Sequence, residues 1–395
     1  MGVTAAALAG CVPESPTTRP SASASSVVTS PAGPAPVPSP TGRLIGDGST
    51  QDTGPQPHQP RPQRLGPGEE PPQFVVLSWD GAGSAQLFTR FRGLAQELGG
   101  AMTFFLSGIY TLPERNRSFY RPPRHPVGAS SLGFLSDRSV HDAIEQVGIA
   151  WHEGHEIGTH FNGHFCGPGG VSDWSPADWD SEIDQAIAMV SQWRTNTGFT
   201  DLPPLPFDYA KELIGGRTPC LEGRANLLKA KRVQQWRYDS SGTGIQTWPS
   251  RFRNGLWNLP MQQIPFPGHS FEVLAMDYNM MFNQSRTPNG DASRRPTWYK
   301  QARDAYLAGF QRAYTANRAP LIIGNHFERW NGGIYMDAIT DAVRQMAQHD
   351  SVRFVSFRQL VEWLDAQDPA VLAKLRTLPV GHKPTGGWAT FLGST

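Results

Sequence analysis

The 395-residue sequence is short of charge, of cysteine and of long apolar runs. Its net charge is +1 and charged residues make up only 17% of it, whereas a nucleic-acid-binding protein carries a basic patch or stripe. We therefore expect no nucleic-acid partner. No apolar run approaches the roughly 18 residues of a membrane span. The 12 Trp and 20 Phe nevertheless suffice for a sizeable core.

The first of the three cysteines ends a small, apolar N-terminal stretch. Leu8-Ala9-Gly10-Cys11 resembles a bacterial lipobox, in which the cysteine becomes the lipidated first residue of the mature protein. The alternative is a chance alanine-rich start. We expect an exported protein that is either lipid-anchored at Cys11 to the outer face of the cytoplasmic membrane, or secreted. A lipid chain anchors a protein without spanning the bilayer.

Composition divides the rest of the chain into three parts. Residues 12–72 are rich in Pro, Ser, Thr and Gly, which favours a disordered linker because so little apolar surface can be buried. We expect a folded domain at 73–366 and a C-terminal tail at 367–395, with residues 1–11 as the remnant of a signal. Strand-like and helix-like segments alternate in the domain, a pattern typical of an α/β fold with parallel strands.

The predicted strands are 74–77, 101–106, 155–159, 212–216, 320–324 and 352–356. The predicted helices are 139–153, 176–193, 224–233, 298–316, 336–349 and 357–367. Residues 234–296, rich in Trp, Pro and Asn, are expected to form loops over one face.

Two polar motifs follow predicted strands, where barrel enzymes place catalytic groups. Asp80 lies in a glycine-rich turn after the first strand, where an acid alone is more often a structural cap. His160 and His164 are four residues apart, so that one turn of chain can direct both imidazoles at one ion. We expect this pair to bind metal if a third ligand is found.

Three further motifs have the same placement. Arg217 follows two glycines and can pair with a carboxylate. Asp239 precedes two serines, and His326 follows the buried strand 320–324, where an imidazole can serve as a general acid. Singly, each of these residues is more often structural than catalytic.

In this order, the five motifs resemble those of the NodB-type polysaccharide deacetylases, carbohydrate esterase family 4, over about residues 73–366. The Trp-rich middle and the sequence Asn-His-Phe-Glu-Arg-Trp are most similar to the chitin deacetylase branch. The resemblance implies a distorted, incomplete (β/α) barrel with its groove at the strand C-termini. It also implies a metal-dependent hydrolase, with zinc or another divalent ion, that removes N-acetyl groups from an N-acetylglucosamine-containing cell-wall or extracellular polysaccharide.

The resemblance implies a metal site, a base and an acid. The residues that match these roles are His160 and His164 as metal ligands, Asp80 as the base that activates water, Arg217 as its ion-pair partner, His326 as the acid that protonates the leaving amine, and Asp239 as the carboxylate that orients and charges this histidine.

One departure concerns the third metal ligand, because Gly81 stands where the family has a second Asp. Asp80 can serve as this ligand itself, which leaves the role of the base to another group, or a remote carboxylate can supply it, with Asp137, Asp173 and Glu328 as candidates. The third explanation is a non-catalytic carbohydrate-binding lipoprotein with a degenerate metal site. An esterase that removes O-acetyl groups on the same fold is a further alternative.

Two milder departures are Cys220, where an aromatic residue is common, and Asn325, where an apolar residue often precedes the histidine. Cys166 lies just past the histidine pair, so both cysteines are expected on the same rim. Because thiols oxidise in an exported protein, we expect a Cys166–Cys220 disulfide that braces the groove.

Overall fold

A long buried strand, Gln73–Ala82, lies at the centre of the fold. The structure is a computed structural model and describes residues 42–393. The predicted lipobox at Cys11 and the first part of the predicted linker, residues 12–41, lie outside the described residues. Within the described part, no helix has the length and apolar character needed to cross a membrane.

The strands of the described chain are β1 (Arg43–Ile45), β2 (Thr50–Asp52), β3 (Gln73–Ala82), β4 (Thr103–Leu106), β5 (Glu156–Thr159), β6 (Tyr238–Asp239), β7 (Thr243–Gly244), β8 (Ser250–Arg251), β9 (Trp257–Asn258), β10 (Met261–Pro265), β11 (Glu272–Leu274), β12 (Leu321–His326) and β13 (Val352–Val355). The helices are α1 (Ala85–Glu97), α2 (Asp137–His152), α3 (Pro176–Ser191), α4 (Trp193–Thr197), α5 (Tyr209–Glu212), α6 (Arg224–Leu227), α7 (Asp277–Gln284), α8 (Arg295–Tyr314), α9 (Ile334–Met346), α10 (Phe357–Ala366), α11 (Pro369–Leu375) and α12 (Gly387–Leu392).

The main sheet has five strands, all parallel, and β3 lies inside it. Strand β12 pairs with one edge of β3, whereas β13 and β4 pair in turn along the other edge, and β5 follows β4. Isolated bridges continue the pairing from Thr159 to Gly216 and from Gly324 to Met276. The predicted α/β class with parallel strands is confirmed. Among residues 42–393 the main sheet does not close into a ring, which agrees with an incomplete barrel.

The two faces of β3 have different surroundings because successive side chains alternate between them. Val75, Leu77 and Trp79 belong to one apolar cluster, in which Trp79 stacks on Phe91 of α1 at a ring-centroid distance of 3.4 Å. Helix α1 is absent from the sequence-based prediction. Phe74 and Val76 belong to a second cluster. Ser78 and Asp80 continue this second face towards the C-terminal end of the strand.

The expected disorder through residue 72 is wrong for residues 42–72. Strands β1 and β2 form a hairpin, and Ser49 accepts hydrogen bonds through its carbonyl oxygen from the Leu205 amide and the Trp193 indole. The buried Gln56 amide donates to the carbonyl oxygens of Trp151 and His155. Composition misled because this segment is ordered by long-range hydrogen bonds and not by an apolar core of its own.

The expected C-terminal tail is also ordered. Helix α11 buries Val371, Leu372 and Leu375 in the second cluster, because these residues share one helical face. The ordered unit therefore begins before residue 73 and continues past residue 366.

Three other predictions fail locally. The segment 212–216 forms only the bridge at Gly216, preceded by α5, and the helix predicted at 224–233 is limited to α6 with a separate turn of 3₁₀ helix at Arg232–Gln235. The segment 234–296 contains short strands and α7, which the loop prediction missed.

Candidate active site

Asp80 and His326 are direct neighbours on adjacent strands. They are paired in the parallel register of β3 and β12, at the C-terminal end of both strands. The Phe327 amide donates to the carbonyl oxygen of Asp80 at 3.1 Å, which extends the pairing by one residue. An acid and an imidazole predicted 246 positions apart are thus brought together by the strand register.

Asp80 forms a buried ion pair with Arg217. Arg217 Nη1 lies 2.8 Å from Asp80 Oδ1, and the two side chains are 0% and 1% exposed. The guanidinium also donates to the hydroxyls of Ser78 and Ser240, at 3.0 and 2.9 Å. Burial acts to raise the pKa of Asp80, but Arg217 and nearby imidazoles outweigh it and hold that pKa below its usual value. Asp80 is therefore an ionised carboxylate.

The position of Arg217 depends on the two glycines before it. A Cβ at Gly215 would lie 2.3 Å from the Tyr238 ring, and one at Gly216 would lie 2.8 Å from Thr159. Glycine thus allows the backbone to pass close to β5 and β6. The Arg217 side chain then enters the space beside Phe105, with its guanidinium carbon 4.8 Å from the ring centroid.

His326 is paired with Asp277 and not with Asp239. His326 Nδ1 lies 2.7 Å from Asp277 Oδ1, and the His326 backbone amide donates to Asp277 Oδ2 at 2.9 Å. The role expected for Asp239 is therefore wrong. Burial acts to lower the pKa of His326, but the Asp277 charge, its hydrogen bond and Asp80 outweigh it and raise that pKa above 6.5. His326 thus has the features of a protonated acid.

Asn325 fixes the start of the helix that carries Asp277. Its Oδ1 accepts hydrogen bonds from the Asp277 amide at 3.1 Å and from the Tyr306 hydroxyl at 2.8 Å. The apolar residue expected at this position would leave both donors without this acceptor. The sequence contained a usable indication of Asp277, because this acid follows the apolar run Val273–Met276, just as Asp80 comes shortly after the apolar run 74–77.

Asp239 is buried at the end of β6. Its Oδ1 accepts from the Ser241 amide at 3.3 Å, whereas Oδ2 has no hydrogen-bond partner within the described residues. Burial raises the pKa of this carboxyl to about 6, although Ser241, Arg224 and Arg217 oppose the effect. Nothing in these contacts connects it with His326.

His160 and His164 face each other at a ring-centroid distance of 5.0 Å. His160 Nδ1 lies 2.9 Å from the carbonyl oxygen of Arg217, which makes Nδ1 the protonated nitrogen and leaves a lone pair on Nε2. Nε2 is buried and has no partner among the described residues. Burial lowers the pKa of His160 to about 3 and also lowers that of His164. Both rings are therefore neutral, as metal binding requires.

The backbone between the two histidines is held by a residue that the sequence analysis missed. Glu182 Oε1 accepts from the amides of Asn162 and Gly163 at 2.9 and 3.4 Å, and from the Tyr120 hydroxyl at 2.9 Å. His164 itself has a φ of +53°, an uncommon conformation that needs such support. An indication was present, because Glu182 interrupts the apolar face of α3 three residues after Trp179.

The remote carboxylates proposed as a third metal ligand do not complete the site. In residues 42–393, the three-residue group with ligand atoms within 4.8 Å of one another is His164, Cys166 and Cys220. Its two sulfurs are joined in a disulfide and are not thiolates.

The remote candidates have other surroundings. Asp137 pairs with Arg115, Asp173 accepts from the Gly169 amide, and Glu328 lines a groove beside Gly81. Asp80 is the described carboxylate whose charge acts on the pKa of both His160 and His164. Two neutral imidazoles are therefore available to a divalent ion, whereas Asp80 does not form a three-ligand group with them within 4.8 Å among the described residues.

The predicted Cys166–Cys220 disulfide is confirmed. Its Cα atoms are 6.0 Å apart, within the range of a normal disulfide. Cys166 Sγ lies 3.6 Å from His164 Nδ1. The bond therefore ties the loop of His164 to the loop that begins with Arg217.

No family model matches the sequence, and no curated protein matches it. Solved structures that are similar to this chain include proteins described as polysaccharide deacetylases, a family 4 carbohydrate esterase and a family 4 pseudoenzyme. A Mycobacterium smegmatis protein described as a polysaccharide deacetylase is 15% identical, with 77% of this chain and 95% of that chain covered and a TM-score of 0.44.

A family 4 carbohydrate esterase from Streptomyces lividans, in complex with acetate, is 14% identical, with 72% of this chain and 91% of that chain covered and a TM-score of 0.34. A family 4 pseudoenzyme from Bacillus anthracis is 9% identical, with 82% of this chain and 73% of that chain covered and a TM-score of 0.40. At such TM-scores, the roles of the residues rest on the contacts within this chain.

Proposed function

We propose that the protein is a hydrolase that removes N-acetyl groups from an N-acetylglucosamine-containing cell-wall or extracellular polysaccharide. The observation that carries the proposal is the pairing of Asp80 with His326 in the strand register, each with its own buried partner of opposite charge. Amide hydrolysis needs both a group that accepts a proton from water and one that gives a proton to the leaving nitrogen.

Asp80 is suited to the first of these roles. Arg217 keeps its carboxylate ionised and fixes one oxygen, so that the charge is available to a water molecule without a change of rotamer. His326 is suited to the second role. Asp277 holds Nδ1, which leaves Nε2 as the nitrogen that can deliver a proton to the amine.

His160 and His164 would hold a divalent ion such as zinc, which supplies Lewis-acid polarisation of a carbonyl oxygen when bound. The hydrogen bond between His160 Nδ1 and the Arg217 carbonyl oxygen connects this histidine with the Asp80–Arg217 ion pair, which supports the proposal. The two histidines stay neutral through burial, so the binding of metal requires little proton release near neutral pH.

The test is acetate release from N-acetylglucosamine oligomers by the zinc-loaded protein, together with the zinc content at a fixed free zinc concentration. We expect His160→Ala to lose zinc and to reduce acetate release below detection. The exposed His382→Ala variant is the matched control, and it should retain both. Full turnover by His160→Ala would refute the metal assignment, and no acetate from any acetylated glycan would refute the hydrolase.

A second candidate function is carbohydrate binding without catalysis. Gly81 favours it, because no described carboxylate besides Asp80 acts on both imidazoles. Such a protein would bind N-acetylglucosamine oligomers and release no acetate. A further comparison distinguishes ester from amide hydrolysis: an O-acetyl esterase would release acetate from acetylated xylan in the same assay, whereas an amidase would release it from N-acetylglucosamine oligomers.

We also propose that the protein is exported, and anchored through Cys11 if the lipobox is used. The Cys166–Cys220 disulfide supports export, because disulfides persist in oxidising compartments. Metabolic labelling with a fatty acid, compared between the wild type and Cys11→Ala, tests the anchor.

A further inference from the structure

Helix α7 exposes two large aromatic rings directly after its buried carboxylate. Asp277 begins the helix and is 1% exposed, whereas Tyr278 and Phe282 are 45% and 47% exposed. Residues four apart lie on one face of a helix, and the ring planes of Tyr278 and Phe282 are 20° from parallel at a centroid distance of 6.3 Å. The residue that orients the acid histidine is thus followed by an open aromatic surface.

This surface reaches His326 through Trp330. The Trp330 ring lies 4.9 Å from the His326 ring and 5.6 Å from the Tyr278 ring. Tyr278 is also 6.5 Å from His326. We call Tyr278, Phe282 and Trp330 the aromatic platform. Arg286 lies beyond it, with its guanidinium carbon 5.7 Å from the Phe282 ring centroid.

We infer that the aromatic platform binds pyranose rings of the glycan chain on the leaving-amine side of the site. The inference rests on the proposed function, because the nitrogen that His326 would protonate stays attached to the sugar. The chain must therefore pass His326, whereas the acetyl group leaves on another path. The platform lies beside this nitrogen, because the rings of Tyr278 and Trp330 both lie within 6.5 Å of the His326 ring.

The chemistry of the platform matches a sugar ring better than a lipid or a peptide. Aromatic faces carry partial negative charge and attract the C–H groups on one face of a pyranose, while the hydroxyl groups at the ring edge stay hydrated. Arg286 adds hydrogen-bond donors at the rim for these hydroxyls. The exposed fraction of both α7 rings means that they contribute little to the core.

The test compares binding of N-acetylglucosamine with binding of chitotetraose, its oligomer of four units, by titration calorimetry. We expect the wild type to bind the tetramer more tightly than the monomer, and we call the ratio of the two affinities the tetramer ratio. In the Tyr278→Ala/Phe282→Ala variant this ratio should fall about tenfold, which corresponds to about 1.4 kcal/mol. Tyr278→Phe and Phe282→Tyr keep the rings and should keep the ratio.

Phe271→Ala is the matched control. Phe271 is 46% exposed but precedes β11, at the end of that strand remote from Asp277, so its removal should leave the ratio unchanged. An unchanged ratio in the double variant, an equal loss in Phe271→Ala, or no binding of chitotetraose by the wild type would each overturn the platform. Acetate release is read separately. A lost ratio without acetate release would refute only the hydrolase, and an unchanged ratio with acetate release would refute only the platform.

Discussion

The Asp277→Asn variant tests which carboxylate orients and charges His326: Asp277, as the structure indicates, or Asp239, as the motif resemblance implies. The amide has nearly the shape of the carboxylate but no charge, so His326 loses the group that raises its pKa. Asp239→Asn is the matched variant, because it removes a carboxylate that is equally buried and that has no contact with His326. Both variants should keep the fold, which circular dichroism can check.

The size of the effect follows from the 2.7 Å contact between Asp277 and His326 Nδ1. A hydrogen bond to a charged group contributes about 1.5–3 kcal/mol. If the imidazolium is needed in the transition state, kcat for acetate release should fall roughly 10- to 150-fold in Asp277→Asn.

The pH profile gives an independent readout. A histidine acid works in its protonated form, so activity is lost as the pH rises through its pKa. This pKa lies above 6.5 in the wild type, because Asp277 outweighs burial. Without Asp277, burial dominates and the pKa falls. The alkaline limb of kcat should therefore move to lower pH in Asp277→Asn and stay in place in Asp239→Asn, and the reverse result would refute the assignment.

Three further predictions concern the metal pair and its supports. Gly81→Asp should raise the zinc affinity, measured by titration, relative to Gly81→Ala, because the added carboxylate can supply a further ligand. A Cβ at this position meets no atom within 4 Å, so the side chain has room. The φ of +67° destabilises both variants by about 1–2 kcal/mol, so the comparison between them removes this effect. Reducing the Cys166–Cys220 bond should lower the free energy of unfolding in urea by about 2–4 kcal/mol, and an unchanged midpoint would contradict this. Burial raises the pKa of Glu182 to about 7. Its contribution to the free energy of unfolding is therefore greatest below about pH 4.5 and declines by roughly 3 kcal/mol up to pH 7. In Glu182→Gln, the free energy of unfolding in urea should change less with pH over this range.

Much of the site could be predicted because parallel strands bring their C-terminal ends together. Asp80 and His326 each follow an apolar run that is recognisable as a buried strand, and the structure places them side by side. Arg217 follows a weaker pattern, since residues 212–216 make only one bridge. The two glycines nevertheless indicated a close backbone approach at this point.

The partner of His326 could not be predicted in the same way. Asp239 ends the short strand β6 and Asp277 follows the short strand β11, and the local sequence does not indicate which of these strands ends beside β12. The answer depends on the bridge between Met276 and Gly324, which places the start of α7 against His326. This is a contact between residues 48 positions apart, and no periodicity records it.

Order in the segment 42–72 was missed for a related reason. Its composition is that of a linker, and apolar burial within it is slight. The segment is fixed by polar contacts with residues far along the chain, such as Gln56 with Trp151. Composition measures the capacity of a segment to form its own core, not its capacity to attach to another one.

The protonation states of Asp80 and His326 do not depend on the carboxylate that is missing at Gly81. Arg217 lowers the pKa of Asp80 and Asp277 raises that of His326, so a pH range exists in which the carboxylate is ionised and the imidazole is protonated at the same time. Neither Arg217 nor Asp277 is among the residues assigned to the metal, and neither ion pair involves residue 81. A weak metal site would therefore lower the occupancy of the ion while the proton-transfer groups remain in place. It follows that Gly81→Asp should act on zinc affinity, whereas Asp277→Asn should act on the pH profile at saturating zinc. An enzyme in which one substitution changed both would contradict this independence.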